Sequence, residues 1–171
     1  ALSAIGYQIL HIGPIGSASV LKVATNYLAS THLAAVGEAL MVCKKAGLDL
    51  PTVYEGIKIS SGNSFVHETE SQVIMNGSYN INFTMDLVCK DVGLFEKLAQ
   101  DMQVPTEVSP LITKIFKDGR EKYGDRAWSS MIVKRLEDAC GEDLRASGYP
   151  DELVDDTPRR KGYEVIPNNI K

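Results

Sequence analysis

The sequence predicts an all-α fold: a multi-helix domain built around one long buried helix, with a short strand ahead of it and an extended tail behind. Three observations carry this reading. Residues 1 to 37 contain a single formally charged side chain, Lys22, so a helix here has almost no face that prefers water. Between Thr84 and Met102 the apolar residues Met85, Val88, Val92, Phe95, Leu98 and Met102 recur at steps of three and four, the period of an amphipathic helix. After Ile12 no segment shows the alternation of a half-buried strand.

Each element follows from local chemistry. Gln8 to Ile12 reads as a short strand, and Gly13-Pro14-Ile15-Gly16-Ser17 is a turn that delivers the chain into a helix with Ser17 as its cap. The long helix runs from about Ala18 to Ala46. Lys44 and Lys45 complement its negative dipole end, Gly47 stops it in the left-handed conformation, and Pro51 lies just beyond. A helix from Leu50 to Ser60 follows, then the Ser61-Gly62-Asn63 break, a helix from Ser64 to Met75, and a turn at Asn76-Gly77-Ser78. The amphipathic helix from Thr84 to Met102 is followed by helices over Ser109 to Tyr123 and Ala127 to Ala139, separated by Gly124-Asp125. His67 reads as a surface histidine. From Glu142 onward three of the seven prolines fall among seven acidic and five basic residues, the composition of an extended tail, yet Leu153, Val154, Tyr163, Val165 and Ile166 give it apolar groups to bury. The expected division is therefore residues 1–12, a helical domain over 13–141, and a tail over 142–171.

Composition narrows the function classes. At 171 residues, 44% hydrophobic and 23% charged, the chain has enough apolar content for one packed core. The net charge is -4 and no basic run exceeds Arg159-Arg160-Lys161, which argues against nucleic acid as the partner. Cys43, Cys89 and Cys140 are widely spaced and form no zinc-ligand pattern, so no metal is expected and the thiols fit a reducing, cytoplasmic setting. The first residues lack the charged start of a secretory signal. Lys22, Asn26, Ser30 and Thr31 interrupt every window long enough to span a membrane, and the polar stripe is neither basic nor flanked by aromatic anchors.

The chemistry concentrates on that stripe. Ser19, Lys22, Asn26 and Ser30 stand three, four and four residues apart, on one face of the long helix. A polar stripe on an otherwise apolar helix must face a cleft, water or a partner, because an unpaired buried ammonium is costly. The plain account is that Lys22 extends its ammonium to the surface; the rival is that an apolar pocket favours its neutral form, which exchanges protons near neutral pH. Asn26, one turn on, is placed to hold a hydroxyl in reach. The helix start at Gly16 and Ser17 offers backbone N–H groups to a carboxylate. Lys90 has its own bland reading, an exposed pair with Asp86 four residues earlier.

Gly13-Pro14-Ile15-Gly16-Ser17-Ala18, then Lys22, Asn26 and Glu38-Ala39, resembles the glycine-rich entry and catalytic helix of the β-hydroxyacid dehydrogenases, the family of 3-hydroxyisobutyrate and 6-phosphogluconate dehydrogenases. Ser61-Gly62, Phe83, Lys90-Asp91-Val92-Gly93-Leu94, Val104-Pro105 and Gly124-Asp125 follow in the family's order, so the resemblance covers residues 1 to about 140. It implies that Lys22 is the catalytic acid/base, that Asn26 helps hold substrate beside the Gly16-Ser17 helix start, and that Lys90 approaches the nicotinamide cofactor, NAD or NADP, or the substrate, with Phe83 nearby. Two positions depart from the family: Ala18 stands where glycine is usual, and Thr25 where a second asparagine is usual.

The family's dinucleotide-binding fingerprint, a strand followed by G-x-G-x-x-G, is absent from these residues. The resemblance therefore implies that residues 1–12 are the end of a missing Rossmann domain. It implies further that the chain is the catalytic and dimerisation half of a larger enzyme, inactive alone, acting on a small hydroxy acid as a homodimer or higher oligomer. The competing class is a non-catalytic helical interaction module in which the apolar helix serves only as a subunit interface.

Overall fold

The structure is a computed structural model that describes residues 2–155, 158 and 160–167. Ala1, Arg159 of the basic run and the last four residues of the expected tail lie outside the described residues. The chain divides into two units, residues 1–22 with 154–171, and residues 23–153.

In the terminal unit a 3₁₀ turn, Leu2–Ala4, precedes strand β1, Gln8–Ile9, which pairs in parallel with β2, Tyr163–Glu164. Gln8 lies opposite Tyr163 and Ile9 opposite Glu164. The Tyr163 amide donates to the Tyr7 carbonyl at 2.9 Å, the Val165 amide to the Ile9 carbonyl at 2.7 Å, and the Tyr7 and Tyr163 rings meet edge to face at 5.3 Å. The sequence predicts a longer first strand and no second one. A two-residue partner is too short to show any alternation, and it limits β1 to the residues it can pair with.

Helix α1, Ser17–Lys45, begins in the terminal unit and continues into the helical one. It ends where expected: Gly47 takes φ +82° and the Leu48 amide returns to the Cys43 carbonyl at 3.0 Å. The helix is not buried along its whole length. Ser30, Leu33, Val36, Gly37, Leu40 and Met41 are buried, all from mid-helix onward, whereas Val20, Leu21 and Leu28 are exposed. Apolar content fixed the helix type but not what covers each face.

In the helical unit, α2, Leu50–Lys58, is capped by Asp49, whose carboxylate accepts from the Thr52 amide and hydroxyl at 3.1 and 2.8 Å. Helix α3, Phe65–Asn76, is capped by Ser64 and closed by Gly77 at φ +93°. His67 is fully buried rather than at the surface: its Nε2 meets the Tyr54 carbonyl at 2.9 Å and its Nδ1 the Ser71 hydroxyl at 3.1 Å, so α2 and α3 hold it as a satisfied core residue. Helices α4, Met85–Asp101, and α5, Val108–Tyr123, pack as an antiparallel pair around Met85, Val88, Val92, Ile112 and Phe116. The expected single helix over Ala127 to Ala139 is instead a 3₁₀ turn, Ser129–Ile132, and a short α6, Lys134–Cys140. The cause is local. The Ser129 amide donates to the Phe83 carbonyl at 2.8 Å and the Ser130 hydroxyl to Glu70 at 2.6 Å, so both serines bond across the fold instead of along a helix.

The expected tail divides. Residues 142–153 belong to the helical unit: Leu144 is fully buried, its amide donates to Glu137 Oε1 at 2.8 Å, and Arg145 pairs with the same oxygen at 2.8 Å. Tyr79 donates a short hydrogen bond to Glu137 and accepts one from Arg145 at 2.6 Å. The buried Glu137 carboxylate is thus matched by a guanidinium, a hydroxyl and an amide, which offsets its desolvation. No helix among the described residues is long and apolar enough to cross a membrane.

Candidate functional site

The helical unit brings three of the sequence-predicted site residues together. Asn26, on α1, donates from Nδ2 to Asp91 Oδ2 at 2.5 Å. Asp91, on α4, is 1% exposed, and its other oxygen lies 2.9 Å from the Lys90 ammonium, whose side chain is 56% exposed. A buried carboxylate, 65 residues from Asn26 in sequence, thereby ties an amide from one motif to an ammonium from another. Because Nδ2 is committed to Asp91, the amide oxygen of Asn26 is the atom left to accept from a ligand hydroxyl. The Lys90–Asp86 pair does not form: Asp86 instead accepts a short hydrogen bond from Thr84 and faces Arg126 at 3.7 Å.

Asn26 also lines a cavity of about 270 Å³ with Phe83, which the family resemblance puts on the cofactor side. Ala29, Leu33 and Val88 give it an apolar wall, and Ser30, Glu70 and Ser129 a polar one. Burial pushes the Glu70 carboxyl up to about 7, against the opposing pull of the Ser130 hydroxyl. Sequence reasoning missed Glu70 because it lies on α3, outside both motifs, and nothing in its neighbours signals that a carboxyl there faces inward. The anchoring role of Asp91 was missed too, although its place beside Lys90 in the motif was a signal.

The remaining site residues lie in the terminal unit. Gly16 takes φ +98° and its carbonyl accepts from the Ser19 and Val20 amides at 3.0 and 3.2 Å, which starts α1, with Ser17 as the first helical residue. Lys22 is one turn before Asn26 on the same helix and is exposed. Ala18 through Lys22 are all exposed, which accords with the plain account of Lys22 as a surface ammonium. Among the described residues no cluster of histidine, cysteine and carboxylate side chains is arranged to hold a metal ion.

Residues 16–136 match the family described as NAD-binding of NADP-dependent 3-hydroxyisobutyrate dehydrogenase, a span that contains all the predicted site residues. The chain belongs to this family, that of the β-hydroxyacid dehydrogenases. Among its β-hydroxyacid dehydrogenase relatives, the 2-(hydroxymethyl)glutarate dehydrogenase of Eubacterium barkeri is 35% identical over 141 residues, 82% of this chain and 47% of that protein. The L-threonate dehydrogenase of Haemophilus influenzae is 28% identical over 134 residues, 78% of this chain and 44% of that protein. The structure of a 3-hydroxyisobutyrate dehydrogenase from Salmonella typhimurium superposes with a TM-score of 0.66 at 26% identity, covering 70% of this chain and 42% of that one. The chain thus spans less than half the length of these relatives.

Proposed function

We propose that this chain supplies the catalytic and subunit-pairing half of an NAD(P)-dependent β-hydroxyacid dehydrogenase, with most of the dinucleotide held by a Rossmann domain outside residues 1–171. The observation that carries the reading is the buried Asp91 holding Asn26 and Lys90, from the family's two motifs, with Asn26 lining the same cavity as Phe83. The donor set suits the nicotinamide end of the cofactor: an exposed ammonium, an aromatic wall, and no glycine-rich loop for a pyrophosphate. NAD or NADP, when bound, accepts the hydride. The Lys22 nitrogen takes the proton of the substrate hydroxyl while the C–H bond of the same carbon breaks and its C–O bond becomes a carbonyl. In reduction Lys22 returns that proton. Asn26 positions the hydroxyl through its amide oxygen, Gly16 and Ser17 present the helix start to the substrate carboxylate, and Lys90 and Phe83 border the nicotinamide.

The exposure of Lys22 sets a requirement on this reading, since an acid/base group must be shielded from bulk water when it meets the substrate. Closure by the dinucleotide domain or a second subunit supplies the missing desolvation, and the exposed Val20, Leu21 and Leu28 of the same helix offer the apolar surface for it. The same exposure favours the second reading, a helical interaction module without catalysis. Lys22→Ala in the complete polypeptide separates them: turnover falls by orders of magnitude with the helical circular dichroism unchanged if Lys22 is the acid/base, and unchanged turnover removes the assignment.

A further inference from the structure

Glu70 is the one titratable residue lining the cavity, and no lysine or arginine lines it. Its Oε2 accepts from the Ser130 hydroxyl at 2.6 Å, a single neutral donor for a group with about four acceptor positions. Ser30, Ser129 and Asn26 also line the cavity. At about 270 Å³ the space holds several waters or the far end of a small organic acid. Above about pH 8, where the Glu70 carboxyl is ionised, a second carboxylate in that space would meet it with no cation to offset the repulsion. A hydroxyl or an ammonium would instead donate to the unfilled carboxyl positions, in surroundings where such a bond is strong.

We propose that Glu70 is a specificity-determining residue: it selects hydroxy acids whose far end carries a hydrogen-bond donor, hydroxyl or ammonium, and rejects those that end in a second carboxylate. The proposal rests on the dehydrogenase reading for the hydroxy-acid head of the ligand, while the donor preference follows from the cavity wall alone.

The test is binding to the full 171-residue chain at about pH 8.5, where Glu70 is ionised, followed by the methyl NMR signals of Ala29 and Leu33. Four 3-hydroxy acids that differ at the far carbon serve as probes: 3,4-dihydroxybutanoate, 4-amino-3-hydroxybutanoate, 3-hydroxybutanoate and 3-hydroxyglutarate. The two donor-ended acids should shift these signals, the methyl-ended one should bind about tenfold more weakly, the scale of one hydrogen bond to a charged group, and the dicarboxylate should leave them unmoved. Glu70→Gln should cut affinity for the ammonium-ended acid more than for the hydroxyl-ended one, which separates charge from donor chemistry. Glu70→Lys should reverse the ranking in favour of the dicarboxylate; should it fail to fold, the near-isosteric Gln variant still decides. Equal binding of the dicarboxylate, a ranking unchanged in Glu70→Gln, or no shift with any probe would overturn the proposal. Because no turnover is read, donor-selective binding together with an active Lys22→Ala enzyme would sink the reaction and leave the pocket standing.

Discussion

Asp91 determines what Asn26 can offer, and its burial makes it sensitive to small changes. Asp91→Asn removes the charge that faces Lys90 and weakens the hold on the Asn26 amide. Leaving such groups mismatched costs roughly 1–3 kcal/mol, so urea denaturation should show that loss, and turnover of the complete enzyme should fall more than substrate affinity. Glu70 makes a separate prediction. Its carboxyl titrates near 7 in the folded chain, above the ordinary 4.5, so the folded state favours the proton. That contribution is complete below about pH 4.5, declines as the unfolded chain ionises, and is gone above about 7, a span of at most about 3 kcal/mol. Relative to wild type, Glu70→Gln should therefore be more stable at pH 8 than at pH 5, and equal differences at both pH values would place the carboxyl in water. The stripe of Lys22 and Asn26 was legible in the sequence because helical spacing is local. The environments of Lys22, Asp91 and Glu70 were not, because each depends on what packs from elsewhere in the chain.

At the scale of elements, caps and stops were the most readable features. Lys44, Lys45 and Gly47 announce the end of α1, and Asp49 and Ser64 cap their helices through contacts within three residues. The 3₁₀ turn at Ser129–Ile132 was illegible for the opposite reason: its serines bond to Phe83 and Glu70, residues distant in sequence. The seating of residues 142–149 was hidden in the same way, since the partner of Arg145 is a buried glutamate on α6. Gly77 links two of these effects. It closes α3 at φ +93°, and a Cβ built there would stand 2.5 Å from Arg145 Nε. Gly77→Ala should cost roughly 1–3 kcal/mol. The Arg145→Ala background should reduce that cost, as a double-mutant cycle in urea would show.

For the whole molecule, the proposed division of labour makes the isolated chain a folded protein that lacks appreciable dehydrogenase activity. Robust turnover by residues 1–171 with NAD or NADP and a hydroxy acid would show that the cofactor site is misplaced. The exposed apolar residues of α1 predict concentration-dependent association, measurable by analytical ultracentrifugation, and Leu21→Glu or Leu28→Glu should weaken it. The helical architecture was readable from periodicity, whereas β2 was not, because two residues carry no period. That strand pair has a kinetic corollary. Gln8 and Tyr163 are 155 residues apart, and only a handful of hydrogen bonds and one ring contact reward bringing them together. Closing so large a loop is entropically expensive, so this zipper should be the last piece to form after dilution from denaturant and the first to let its amides exchange with heavy water.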